Sequence, residues 1–219
     1  MASEIKQGTL ELVNHLPIIQ VITPMLIAPI LVVLNNKTLS WLLSFLGALA
    51  CLFISILLMQ TVSDGSILTY YLGGWVPPIG IEYRIDAANS ILLFLISIIS
   101  AIVLIFSYSS LHAEIPEEKH TLFYSCFLLC LTGLLGVVAT ADIFNVFVFL
   151  EISSLSTYVL VAQGAYLDRR ALSASFNYLI MGTIGATFFV IGIGYIYMAT
   201  GSLNTVSYTH LTLPTNGCV

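Results

Sequence analysis

Residues 143–163, IFNVFVFLEISSLSTYVLVAQ, are predominantly apolar, yet they carry one carboxylate, Glu151, near the middle. A helix rises about 1.5 Å per residue, so this stretch crosses a hydrocarbon core of about 30 Å and puts Glu151 close to the midplane. A charge there costs roughly 2.5–3.5 kcal/mol on insertion scales, so it persists only when paired, wetted or protonated. An acid in that position reads as functional by default; a structural carboxylate, hydrogen-bonded between helices, is the plainer alternative.

The rest of the 219-residue chain is built in the same way. It is 58% hydrophobic and 8% charged, whereas soluble domains carry about 25% charged residues. Its apolar residues fall in long blocks separated by short polar clusters, the pattern of an all-α, polytopic helical membrane protein. Six spans are expected, at about 16–34, 39–62, 87–109, 121–140, 143–163 and 171–199. Together they form a membrane domain over 16–204, between an extramembrane segment at 1–15 and a polar tail at 205–219. The start, MASEIKQGTLELVNH, has Glu4 and Glu11 and lacks the basic opening of a signal peptide. The tail, TVSYTHLTLPTNGCV, has no helical period and resembles translated sequencing-adapter sequence, so residues from about Val206 onward are expected to be artefactual, a genuine short polar tail being the alternative.

Several punctuation marks are legible. Pro24 and Pro29 lie inside the first span, where neighbouring helices are expected to re-satisfy the freed carbonyls. In the connection 63–86, Gly73-Gly74 and Pro77-Pro78 are flanked by residues suited to a small hairpin, with Tyr70, Tyr71, Trp75 and Tyr83 at an interfacial level. Spans four and five are separated only by Ala141-Asp142, so they must be antiparallel neighbours. Gly182 and Ala186 in span six form a small-xxx-small pair that permits close packing within the chain. Lys37, Lys119, Arg169 and Arg170 fall in the odd-numbered loops, against Lys6 and Arg84 on the other side. That split places those loops in the cytoplasm and the N-terminus outside.

Around Glu151, the helical period brings Phe144, Phe147, Val148, Ser154, Leu155 and Tyr158 within about 60° of its face. Ser154 and Tyr158 could hydrogen-bond a carboxylate or hold water beside it. Ser153, Ser156 and Thr157 point elsewhere, so this half of the span is polar on most sides and is expected among helices beside a hydrated cavity. A carboxylate so placed can carry protons, because desolvation raises its pKa and a cation within about 4–6 Å lowers it. No Lys or Arg lies inside a span, so the cationic partner is outside these 219 residues. Asp142 could hand ions to the interior, or simply cap the fifth helix. Asn177 reads as an interhelical hydrogen-bonding residue. His112 and His120 flank an acidic loop that reads as solvated charge. Cys51, Cys126 and Cys130 sit in apolar blocks without His or further Cys at ligand spacing, so neither a metal nor a cofactor is expected. Nothing suggests nucleic acid, and no nucleotide-loop, serine-hydrolase or zinc-protease motif is present.

Three stretches, YYLGGWVPPIGIEYRIDAAN, GVVATADIFNVFVFLEISSLSTYVLVA and MGTIGATFFVIGIGYIYMATGSLN, resemble the antiporter-like membrane subunits. These include the large subunits of Mrp-type monovalent cation/proton antiporters and the proton-pumping membrane subunits of respiratory complex I. The GGWxPPxGIEYxxD loop is most similar to the D-type subunit of those antiporters. The resemblance implies a fold of about fourteen helices with two inverted five-helix repeats, of which this chain holds the N-terminal part. It implies that Glu151 is the proton-pathway carboxylate, partnered by a Lys on a seventh, broken span. Relatives often have a basic residue where this chain has Asn177. The implied partners are other membrane subunits, lipid, protons and possibly sodium, with no quinone bound to this chain. The implied role is transport rather than catalysis by this chain alone, in an antiporter or in a dehydrogenase- or hydrogenase-linked complex. A non-transporting scaffold subunit is the reading from a different class.

Overall fold

The computed structural model describes the backbone of residues 2–77 and 79–206, and side chains from Asn14 onward apart from Pro78. Glu4, Lys6, Glu11 and the tail residues 207–219, Cys218 among them, lie outside the described side chains. The six expected helices are present as α1 (Ala2–Leu34), α2 (Lys37–Thr61), α3 (Ala87–Glu114), α4 (His120–Ala139), α5 (Ile143–Gln163) and α6 (Arg170–Thr200). Each is long and apolar enough to cross a membrane, α1 over Asn14–Leu34.

Helix α4 is the hub, packed against α1, α2, α3 and α5, while α6 packs mainly on α5. Leu128, Leu131 and Leu135 of α4 are fully or almost fully buried, alongside Leu31, Leu58, Leu93 and Leu104 from α1 to α3. Several polar groups inside this bundle are paired across helices, although Gln20 Oε1 and Ser44 Oγ are buried without a partner among the described residues. Gln20 donates to Ser97 Oγ at 3.2 Å, Ser125 donates to the Ala28 carbonyl at 2.9 Å, and Ser40 donates to Thr121 at 3.3 Å. Pro24 cannot donate to the carbonyl four residues back, that of Gln20. The Cys51 thiol of α2 faces that carbonyl at 3.6 Å, so a neighbouring helix supplies a weak donor where the helix's own is missing.

The connection before α3 is a hairpin, as its flanks suggest. Strand β1 (Leu68–Tyr71) pairs antiparallel with β2 (Glu82–Ile85), with Leu68 opposite Ile85 and Tyr71 opposite Glu82. Gly73 and Gly74 turn the chain with φ of 64° and 77°, a region that Gly enters at little cost. Asp86 then caps α3, accepting from the Asn89 amide at 2.9 Å. The hairpin, the α4–α5 link and the segment after α6 share one end of the bundle, through hydrogen bonds from Ala141 to Glu82 and from Ile143 to Leu203.

Lys37, Glu117, Lys119 and Tyr166 gather at the opposite end, in a Lys37–Glu117 ion pair and a Lys119 ammonium 4.9 Å from the Tyr166 ring. His120 is not solvated there. It is buried, with Nε2 2.9 Å from the Ile115 carbonyl and its ring 4.9 Å from that of His112. The charged residues of the loop stay outside while this one His becomes part of the helix packing.

Candidate functional site

Helix α5 begins at Asp142, whose carboxylate accepts from the Asn145 amide at 2.7 Å and caps the helix. Capping satisfies a backbone donor that has no partner within the helix. Burial pushes the Asp142 carboxyl above its ordinary range, opposed by hydrogen bonds from the Asn145 and Phe144 amides. Nine residues further on, about 13 Å along the axis, comes Glu151. Asp142 is therefore a cap at the rim, not a direct neighbour of that carboxylate.

The two sides of α5 are built differently. Towards α4, Phe149, Ser153 and Ser156 are buried. A Cβ added at Gly133 would lie 2.6 Å from both the Phe149 carbonyl oxygen and Ser153 Cβ. One added at Gly136 would fall against the Phe149 ring. These glycines let the two backbones approach closely. The hydroxyls on this side are spent locally: Ser153, Ser156 and Thr157 donate to the carbonyls of Leu150, Ile152 and Ser153 at 2.7–2.9 Å. Thr157 Oγ1 also lies 3.4 Å from Cys130 Sγ.

Towards α6, the helices leave a cavity of about 260 Å³. Glu151 and Ser154 line it with Phe147 and Leu150 from α5; Gly182, Gly185, Ala186 and Phe189 complete it from α6. Glu151 is half-buried, and the space beside it can hold more than one water with polar partners in reach. Nothing lies within 4 Å of a Cβ added at Gly185, so the small side chain leaves the lane open.

Tyr158 is buried and closes the groove one turn beyond Ser154. Its hydroxyl lies over Gly182, its ring meets that of Tyr178 edge-on at 4.9 Å, and its main-chain carbonyl accepts from Ser175 at 2.8 Å. Gly182 thus serves contact within the chain.

Glu151 and Ser154 therefore share one lining, and Tyr158 stands at its end. Among the described residues, Glu151 accepts no hydrogen bond from Ser154 or Tyr158. Asn177 faces away, exposed on α6, and among the described residues makes no interhelical hydrogen bond. Gly185, one of the four glycines of α6, joins Gly182 and Ala186 on nearly one helical face, as the spacing 182, 185, 186 requires.

Six apolar helices enclosing a half-buried acid define an integral membrane protein of polytopic helical architecture. Residues 140–216 match the family described as NADH:quinone oxidoreductase/Mrp antiporter, TM. The N subunit of the NADH-quinone oxidoreductase of Desulforudis audaxviator is 39% identical over 91% of this chain and 40% of its own length. The D-type subunit of the Na(+)/H(+) antiporter of Bacillus subtilis is 31% identical over 87% of this chain and 38% of its own. Among solved structures, a chain of the membrane-bound sulfane sulfur reductase, an archaeal respiratory membrane complex, superposes with a TM-score of 0.82 at 32% identity. That match covers 90% of this chain and 40% of the other. The chain is a relative of the antiporter-like membrane subunits, and it spans about two fifths of the length of the curated relatives it matches.

Proposed function

We propose that this chain belongs to a proton-translocating membrane subunit and that Glu151 is its proton carrier. The observation that carries the proposal is the placement of Glu151 in the α5–α6 cavity, beside Ser154 and opposite Gly182, Gly185 and Ala186. A carboxylate housed this way exchanges a proton with water in the lane. A cation brought close to it would favour its ionised form, and removal of that cation would favour proton uptake. Lys37, Lys119 and Arg170 sit only at the ends of the spans and no Lys or Arg lines the cavity, so the switching cation would come from the remainder of the subunit or from another. Ser154 would hold water beside the carboxylate, and Tyr158 would bound the lane. Asp142 supports the site by fixing the start of α5. Asn177, on the far side of α6, has no part in it.

The leading reading of the whole protein is a subunit of a multisubunit monovalent cation/proton antiporter in a bacterial inner membrane, with the N-terminus outside. Its partners would be other membrane subunits, and its cargo protons and possibly sodium. The distribution of Lys and Arg supports the orientation, and the 31% identity to an antiporter subunit supports the assembly. A redox-driven complex is the second reading, favoured by the 39% identity to an NADH-quinone oxidoreductase subunit and by the structural likeness to a chain of a respiratory complex.

Glu151→Gln in the complete subunit, within its assembled complex, tests the carrier. Gln keeps the shape and loses the titrating proton. Proton flux in proteoliposomes is expected to fall about 100-fold, the scale of a lost acid–base group. Flux near the wild-type rate with the complex intact would remove Glu151 from the pathway.

A further inference from the structure

Outside the groove lies a carboxylate more buried than Glu151. Glu82 on β2 is 7% exposed, and its Oε2 accepts from the Asn204 side-chain amide at 2.7 Å. The partners are 122 residues apart in sequence and belong to the hairpin and to the segment that follows α6. Around them, three connections are laced into one seam. The Ala141 amide donates to the Glu82 carbonyl at 2.8 Å, Ile143 to Leu203 at 3.0 Å, and Thr205 to Ala141 at 2.9 Å. Tyr83 bridges to Thr140, and Asp142 bridges to Asn204.

The main-chain rungs join neighbouring strands of the seam and recur on either side of the α4–α5 link. The Glu82–Asn204 bond is different, because it spans directly from the hairpin to the α6 exit. Helix α6 needs such a tether, since Ser175 and Ile193 are its buried residues. Its start is held by the short turn from α5, and its end is held by the seam. The cavity beside Glu151 opens between the same two helices, α5 and α6.

We propose that Glu82 is a positioning residue for the α5–α6 groove: by holding Asn204 it fixes where α6 ends against the start of α5. The bond, not the charge, does the holding, so any residue pair that restores one donor and one acceptor should restore the position. The consequence for transport rests on Glu151 being the carrier; the consequence for the seam does not.

The test uses the complete subunit in its assembled complex, with two readouts: amide hydrogen exchange of the 201–206 peptide, and proton flux. Glu82→Leu and Asn204→Asp are expected to speed exchange there about tenfold, the scale of one lost hydrogen bond, and to lower flux several-fold. Glu82→Gln keeps an acceptor oxygen and is expected to match wild type in both. The exchange of roles, Glu82→Gln with Asn204→Asp, is expected to rescue what Asn204→Asp alone loses. Unchanged exchange and flux in Glu82→Leu and Asn204→Asp would overturn the inference. So would a double variant that fails to recover, which also decides the matter if Glu82→Leu does not assemble. Glu151→Gln, run beside them, is expected to cut flux about 100-fold and leave exchange untouched. A failure of the carrier reading therefore shows in flux alone, and a failure of the seam shows in exchange.

Discussion

Helix α5 presents glycine-lined partners on both sides and makes opposite use of them. Against α4, Gly133 and Gly136 are occupied by backbone and ring atoms of α5, and a single added carbon would collide. Against α6, Gly185 faces open space. The small residue is the same; what differs is whether the partner moves into the space or stays away. On the first side the missing side chain makes a close contact, and at Gly185 on the second it leaves open space. The polar groups follow suit. The hydroxyls facing α4 bond to their own helix, whereas Glu151 and Ser154 face the cavity. A glycine stripe in a membrane helix is therefore ambiguous until the opposing surface is known.

The comparison can be broken by exchanging the two kinds of glycine for larger residues. The largest effect is expected from Gly136→Leu, which must displace the Phe149 ring. Overpacking of this kind costs about 1–3 kcal/mol, read as a lower midpoint for unfolding of the complex in detergent. Gly185→Leu is expected to leave that midpoint within about 0.5 kcal/mol of wild type and to cut proton flux several-fold by filling the lane; Gly185→Ala should do neither. If Gly185→Leu destabilises the protein as Gly136→Leu does, the two sides of α5 are alike and the lane is ordinary packing.

Asp142→Ala should cost about 1 kcal/mol as a lost helix cap, whereas Asp142→Asn should keep the cap. The sign of its pH dependence follows from burial. The folded carboxyl is raised, so its contribution to stability is present at low pH and is lost as pH rises through the raised value. Asp142→Asn should abolish that part of the pH profile, and an unchanged profile would show that Asp142 is not the group responsible. The smallest effect is expected from Thr157→Val on the closed side, a few tenths of a kcal/mol. Its hydroxyl bonds within α5 and touches only a weak thiol partner across the interface.

Six helices and the hairpin were legible because the physics that makes them is local. Long apolar runs make spans, Gly73-Gly74 makes a turn, and Asp142 before an apolar run makes a cap. Glu151 stood out because a carboxylate deep in lipid is costly wherever it sits in the chain. Its lining was half legible: the helical period brings Ser154 and Tyr158 to its side, but it does not say that Tyr158 spends its hydroxyl over Gly182. Both Glu82 and Asn204 fall in stretches that carry the resemblance, but that they bond each other was not legible, since they lie 122 positions apart. Burial of His120 was likewise unreadable from a loop rich in charge.

The exposure of α6 has a consequence for how the chain is made. In a bilayer a helix satisfies its own backbone, so α6 can insert and persist before it has neighbours. The bundle around α4 can consolidate while later residues are still being delivered, and α5 can dock on it through Gly133 and Gly136. The seam cannot follow that schedule. It needs residues 203–205, which reach the hairpin only after α6 has crossed the membrane. Its closure therefore joins the hairpin, the α4–α5 link and the exit of α6 only once all three are in place.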